Sequence, residues 1–193
     1  MLAHLDTEAY LASRVTPTFS YTIIRQGLYS ESFPVYTSNF NLDQARSSPD
    51  SALTIRIPLD GAERGIAWAK RDELGEATAK LLKEYTTDPA SFEYVNKLVI
   101  LSGPKEYTLN ETAEVFGRVL GKKVAIQQVS IDEYVEQVGV GYGSDSTELD
   151  RLWATAFEGI RHGEAATVTG HLKALLGREP EDFETTIRGM LEA

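Results

Sequence analysis

His4 and Glu8 stand four residues apart, the spacing that puts two side chains on one face of a helix. An imidazole exchanges protons near neutral pH and a carboxylate accepts them, so the pair brings acid and base groups together. The same spacing also serves an ordinary exposed helix contact. Glu31 adds a second carboxylate within Tyr29-Ser-Glu-Ser-Phe33, among hydroxyls and rings. That stretch follows the apolar run Tyr21 to Arg25, so it begins where a short strand ends. A polar and aromatic loop beyond the carboxyl end of a strand is where an open α/β sheet places a ligand. His4, Glu8 and Glu31 are therefore the candidate catalytic groups, and Gln26, Gly27, Tyr29, Ser30, Ser32, Phe33 and Tyr36 the candidate substrate contacts.

Other chemistries find less material. His162 and His171 lie far from His4 and no zinc-ligand spacing occurs, so no metal site is expected. Gly139-Val-Gly-Tyr-Gly143 follows a helical pattern instead of a strand and has the wrong spacing for a dinucleotide turn, and reads as a flexible connection or lid. There is no Gly-x-Ser-x-Gly elbow to support a hydrolase.

The elements that must hold these residues can be read in order. Leu5 to Ala12 is helical, Tyr21 to Arg25 is a strand, and Gly27 to Asp50 reads as a long functional loop. Ser51 to Pro58 alternates as a strand and, with Gly65 to Ala69 after the Asp60-Gly61 turn, suggests a hairpin. Arg71 to Leu82 is an amphipathic helix with acids in its first turn, and Lys97 to Ser102 a buried strand ended by Gly103-Pro104. Thr108 to Glu111 and Ser130 to Glu133 each fit a capping box that opens a helix, with Val124 to Val129 as an edge strand between them. Gly139 is expected to end the second of these helices. Leu149, Leu152, Trp153, Ala156, Phe157 and Ile160 recur at helical spacing, and both Trp68 and Trp153 read as packing residues.

The ordered set resembles the NmrA-like branch of the atypical short-chain dehydrogenase/reductases. It comprises His4-x-x-x-Glu8, the segment from Tyr21-Thr-Ile-Ile-Arg-Gln-Gly to Phe33, Arg71 to Leu82, Leu98 to Val124 and Leu175 to Glu184. The resemblance implies an α/β fold, a truncated Rossmann-like sheet with a small, mostly helical C-terminal subdomain. It implies one domain over residues 1–193, with about 1–103 as the residual Rossmann-like part and about 104–193 as the substrate-side subdomain. The Gly-rich dinucleotide-binding unit of that family is expected upstream of Met1. In conventional members a Tyr-x-x-x-Lys pair stands where His4 and Glu8 are, and a glutamate cannot replace that lysine at the ribose or the tyrosine. The implied function is an NAD(P)-linked reductase or redox sensor. No cofactor is expected for this chain alone, and NAD(P) enters by resemblance only. The alternatives are a cofactor-independent isomerase or cyclase acting by acid/base catalysis, and a non-enzymatic binding module.

Composition narrows the partners. The 193 residues are 42% hydrophobic, enough for a real core, and contain no cysteine, so neither disulfide nor thiolate chemistry is available. Nineteen basic residues against 29 acidic give a net charge of -10, which disfavours nucleic acid and anionic membranes. A hydrophobic small-molecule substrate and a cytoplasmic location are expected. A sheet lacking its first strands must cover an edge and an apolar face, so a homodimer, with or without exchanged segments, is expected as well.

Overall fold

The computed structural model describes residues 2–142 and 147–192. Four strands, β1 (Thr22–Gln26), β2 (Ala52–Ile57), β3 (Lys97–Leu101) and β4 (Lys123–Gln128), form two parallel pairs. β1 lies beside β3 with Ile24 opposite Val99, and β2 beside β4 with Ile55 opposite Ile126. The chain alternates between the pairs, so every connection from one strand to the next crosses the molecule.

Helix α1 (Leu2–Ser13) precedes β1. A 3-10 turn (Ser30–Ser32), α2 (Phe33–Tyr36) and α3 (Leu42–Ser47) occupy what the sequence suggests is a long open loop. Their apolar members explain the difference: Phe33, Leu42 and Ala45 are buried and tie the segment to the core. The hairpin expected from Ser51 to Ala69 does not form. β2 pairs in parallel with β4, and residues 65–69 run as a separate extended segment, so β4 has β2 for its neighbour. Local turn signals cannot report that a distant strand offers a better apolar match.

Helix α4 (Arg71–Thr87) covers one face of the β1–β3 pair, with α8 (His171–Leu176) beside it. Ile24, Leu74, Ala77, Leu81, Val99, Leu101 and Leu172 make this core. The β2–β4 pair packs with α5 (Leu109–Leu120), α6 (Ile131–Tyr142), α7 (Thr147–Arg161) and α9 (Phe183–Glu192) in a larger one. Both capping boxes form: Thr108 Oγ1 accepts the Glu111 N–H at 3.1 Å and Ser130 Oγ the Glu133 N–H at 3.2 Å. Helix α6 continues through Gly139 and Gly141 to Tyr142, and Gly143 lies outside the described residues. On α7 the packing is divided. Ala154, Phe157 and Ile160 are buried, whereas Leu149, Leu152 and Trp153 face solvent, Trp153 at 56% exposure, so only Trp68 of the two tryptophans packs as expected.

The three crossings meet in the middle. Ile66 and Tyr107 exchange main-chain bonds at 2.8 and 2.9 Å, and Gly103 N–H reaches the Ala67 carbonyl at 3.3 Å. Ala69 N–H donates to Leu28 O at 3.0 Å while Ser30 N–H donates to Ala69 O at 2.9 Å. Trp68 seals the junction, stacked on Phe183 with ring centres 5.1 Å apart and donating from Nε1 to Thr112 Oγ1 at 3.2 Å. A methyl added at Gly103 would sit 1.7 Å from the Trp68 carbonyl oxygen. Gly103→Ala is accordingly expected to cost about 3 kcal/mol or more in a urea unfolding titration, an overpacking penalty with rigid backbone as the obstacle.

Glu106 reinforces the same junction. It accepts from the Arg64 guanidinium at 2.9 Å and from the Gly65 N–H at 2.8 Å. These bonds, the arginine first, hold its carboxyl below the ordinary value of 4.5. A carboxyl depressed by folding stabilises at pH above its unfolded value and loses that contribution as pH falls through the folded one. Unfolding free energy should therefore fall between pH 4.5 and the folded value, and Glu106→Gln should flatten that part of the profile.

Candidate functional site

The carboxyl end of β1 opens toward α4. Gln26 is exposed on that side, with its Nε2 3.3 Å from Thr78 Oγ1 and its Oε1 accepting the Tyr29 hydroxyl at 2.9 Å. The Arg71 guanidinium lies 5.8 Å from the Tyr29 ring centre, so the phenol is held on one side by an amide and faced by a cation. Gly27 must be small at this point: a Cβ would press on the Leu101 and Ala67 carbonyl oxygens at 3.2 and 3.3 Å.

Glu31 turns back onto α4. Its two oxygens accept the Arg71 N–H at 3.1 and 3.2 Å, so it caps a helix whose own N-cap residue, Lys70, provides no side-chain cap. Ser30 is fully buried and its hydroxyl has no hydrogen-bond partner. The Ser32 N–H closes the turn on Tyr29 O at 2.9 Å. Phe33 is buried against Phe116 with ring centres 4.8 Å apart, and so anchors the loop from beneath. Tyr36 is half-buried with its ring edge-on to Trp68 at 5.9 Å, and burial raises its pKa, leaving a protonated hydroxyl at neutral pH.

His4 and Glu8 lie elsewhere. Side chains alternate along a strand, so Arg25 and Gln26 point to opposite faces of β1. Arg25 points to α1, where its guanidinium binds the Glu8 carboxylate at 2.6 and 2.8 Å, while Gln26 points to α4. The structure thus brings Gln26, Gly27, Tyr29 and Glu31 together and places His4 and Glu8 behind the strand, His4 exposed.

Sequence reasoning missed Arg71 and Thr78, which join the site through the fold. Their i,i+7 spacing in the α4 pattern puts both on one helix face, a signal that becomes informative only once α4 is known to flank β1. It also missed the charged group around the first turn of α4. Lys70 Nζ binds both Glu181 oxygens at 2.8 and 2.9 Å, and the buried Glu73 accepts the Glu181 N–H at 2.9 Å with Arg178 at 3.4 Å. The bond to Glu181 raises the Lys70 pKa. A surface groove of about 780 Å³ is lined by Lys83, Glu84, Phe92, Tyr94 and Leu175 among others. It lies near the start of β3 and the end of α4, away from Gln26 and Tyr29, and shares no residue with the site.

A model of the NmrA-like family matches residues 5–173. The chain belongs to the NmrA-like family. It is 29% identical over 190 residues to the NmrA-like family domain-containing oxidoreductase flvB of Aspergillus flavus, covering 98% of this chain and 55% of flvB. With the prestalk A differentiation protein A of Dictyostelium discoideum it shares 23% identity over 168 residues, 86% of this chain and 48% of that protein. The chain spans about half the length of the curated relatives it matches. Among solved structures it superposes on the NADPH complex of the NADPH-dependent quinone oxidoreductase QOR2 of Escherichia coli with a TM-score of 0.70 at 21% identity, covering 97% of this chain and 58% of that one. The Citrobacter triphenylmethane reductase gives 0.71 at 25%, covering 98% and 58%. NmrA, a negative transcriptional regulator in complex with NADP, gives 0.61 at 16%, covering 95% and 55%. The parallel pairs and their helices are therefore Rossmann-like α/β structure.

A dinucleotide pyrophosphate binds at a free helix N-terminus behind a glycine turn. The longer helices that follow strands here have theirs closed: α4 by Glu31, α5 by Thr108, α6 by Ser130. These residues do not fit a pyrophosphate. Gln26, Tyr29 and Arg71 bring an amide, a phenol ring and a guanidinium together at one place.

Glu31 is the residue whose chemistry separates capping from other roles. Glu31→Ala should lower stability by about 1 kcal/mol, the usual value of a helix cap, whereas Glu31→Gln retains an acceptor oxygen and should cost less than half as much, both read by urea titration.

Proposed function

We propose that this chain forms the substrate side of an NAD(P)-linked oxidoreductase, or redox-responsive regulator, of the NmrA-like kind. The observation that carries the reading is the placement of Gln26, Tyr29 and Arg71 at the carboxyl end of β1, in a family that includes the oxidoreductase flvB. NAD(P), when bound, supplies or accepts a hydride. The chain's own part is to orient the reacting molecule: the Tyr29 ring presents a surface, the Gln26 amide held by the Tyr29 hydroxyl a polar contact, and Tyr36, its pKa raised by burial, a phenol further along the same connection. The acid/base alternative without cofactor is less well supported, because both candidate carboxylates are engaged, Glu8 by Arg25 and Glu31 by the start of α4. Since the residues described do not fit a pyrophosphate, the dinucleotide phosphates are proposed to depend on residues other than these.

The test is a nuclear magnetic resonance titration of the chain with 2-methyl-1,4-naphthoquinone and with NADPH, separately and together. Saturable shifts of the amides from Gln26 to Tyr36 with the quinone, stronger when NADPH is present, are the expected result. A loop that shifts with neither ligand would remove the reading. Tyr29→Phe frees the Gln26 amide from the bond that orients it and is expected to weaken quinone binding by up to about tenfold, the scale of one hydrogen bond misplaced.

A further inference from the structure

Glu181 stands just before α9 and is held at three points. Both of its carboxylate oxygens accept from Lys70 Nζ, at 2.8 and 2.9 Å, and one of them also accepts the Thr186 hydroxyl at 2.9 Å. Its own N–H donates to Glu73 at 2.9 Å. Thr186 and Glu73 are both buried, so two of the three partners sit where a low dielectric strengthens a hydrogen bond. The helix behind Glu181 is fixed as well: α9 packs against the Ser30–Ser32 turn, and its Phe183 stacks on Trp68.

Lys70 and Glu73 are three residues apart and share one face at the start of α4. A single contact would let the helix turn about its own axis. Two contacts on one face, both ending on Glu181, fix that rotation. Rotation matters because each residue of an α-helix is set about 100° round from the one before, and Arg71 follows Lys70 directly. The Arg71 guanidinium, 5.8 Å from the Tyr29 ring centre, takes its direction from how this turn is rotated. Glu31 does little to set it, because it binds the Arg71 main-chain N–H, which points along the helix axis.

We propose that Glu181 is a positioning residue for the candidate site: gripping α4 at Lys70 and Glu73 from a fixed α9, it sets the rotation of the helix and holds Arg71 over the Tyr29 ring. This role rests on the reading of Gln26, Tyr29 and Arg71 as the site, and it gives the charged group at the start of α4 a part beyond stability. Arg178 extends the grip, reaching Glu73 at 3.4 Å and Glu76 at 2.8 Å from the connection between α8 and α9.

The test follows the Tyr29 ring by nuclear magnetic resonance in chain labelled at tyrosine, its signals assigned by their loss in Tyr29→Phe. Arg71→Gln removes the cation and keeps the main-chain N–H for Glu31, so it marks the signal of a ring that Arg71 no longer faces. Glu181→Ala and Lys70→Met cut the clamp from opposite ends. Each should shift the ring signals toward the Arg71→Gln position, and the double variant should shift them no further than either alone, as expected of two residues acting through one contact. Glu181→Gln keeps an oxygen for Lys70 and Thr186 and should restore part of the parent signal. Glu184→Ala, which removes bonds to Arg118 and Arg188 on the same helix, should leave the ring signals in place. Ring signals that stay at the parent position in folded Glu181→Ala and Lys70→Met would make the network a stabilising one only and overturn the inference. If Glu181→Ala fails to fold, Lys70→Met decides. The measurement needs no ligand, so its outcome is separate from whether the quinone binds.

Discussion

The structure hangs on the extended segment from Gly65 to Lys70. Because successive strands belong to alternate pairs, neither pair is built from neighbouring sequence, and neither has enough strands to stand alone. What joins them is main-chain bonding between the three crossings, from Ile66 to Tyr107, from Ala67 to Gly103, and from Ala69 to Leu28 and Ser30. Ile66, Ala67, Trp68 and Ala69 are buried to within 1%. Buried backbone must find partners, and here each crossing is the partner of the others. Gly65 and Gly103 are required by this closeness: a Cβ at either would lie within 2 Å of a carbonyl oxygen, 1.8 Å at Gly65 and 1.7 Å at Gly103.

That constraint reaches the candidate site directly. Leu28 and Ser30 are held to Ala69 by the same bonds that lock the junction, so Tyr29 between them has its backbone fixed on both sides. Lys70 and Arg71 follow Ala69 without a break into α4, which places Arg71 over the Tyr29 ring and its N–H on Glu31. A site formed by two segments hydrogen-bonded to each other keeps its geometry better than one on a free loop. The short helices over residues 33–47 serve the same end, since Phe33 and Phe40 pin the outer part of the connection to Phe116.

Elements with local signals were legible in the sequence. Both capping boxes, the apolar β3 ending at Gly103-Pro104 and the helical pattern from Arg71 show in a few neighbouring residues, and all appear in the structure. The hairpin expected near Asp60-Gly61 failed for the opposite reason. Gly61 does turn with φ +83°, but β2 answers to Lys123–Gln128, a partner no local rule can name. The site divides in the same way. Gln26 and Tyr29 were visible because they follow a strand, while Thr78 and Arg71 depend on the packing of α4. The separation of His4 and Glu8 from the Gln26 side could have been anticipated from strand alternation, since Arg25 and Gln26 must face apart. Trp153 misled because the apolar residues of α7 spread over more of the helix than the core covers.

The electrostatics bear on what the site can accept. A helix N-terminus attracts an anion, and that of α4, the one nearest Tyr29, already holds Glu31. An anionic ligand group would have to displace a tethered carboxylate while approaching a first turn that also carries Asp72 and Glu73, on a chain of net charge -10. Arg178 and Lys70 do not offset this, because both are bound to Glu73, Glu76 or Glu181. Arg71 remains, but directed at the Tyr29 ring, where it enriches a surface suited to a π-system more than to a charge. These features support the reading proposed above, in which the acceptor is uncharged and planar with an exposed oxygen or nitrogen. On that proposal, discrimination against anions would rest on Glu31, the residue that also ties the loop to α4.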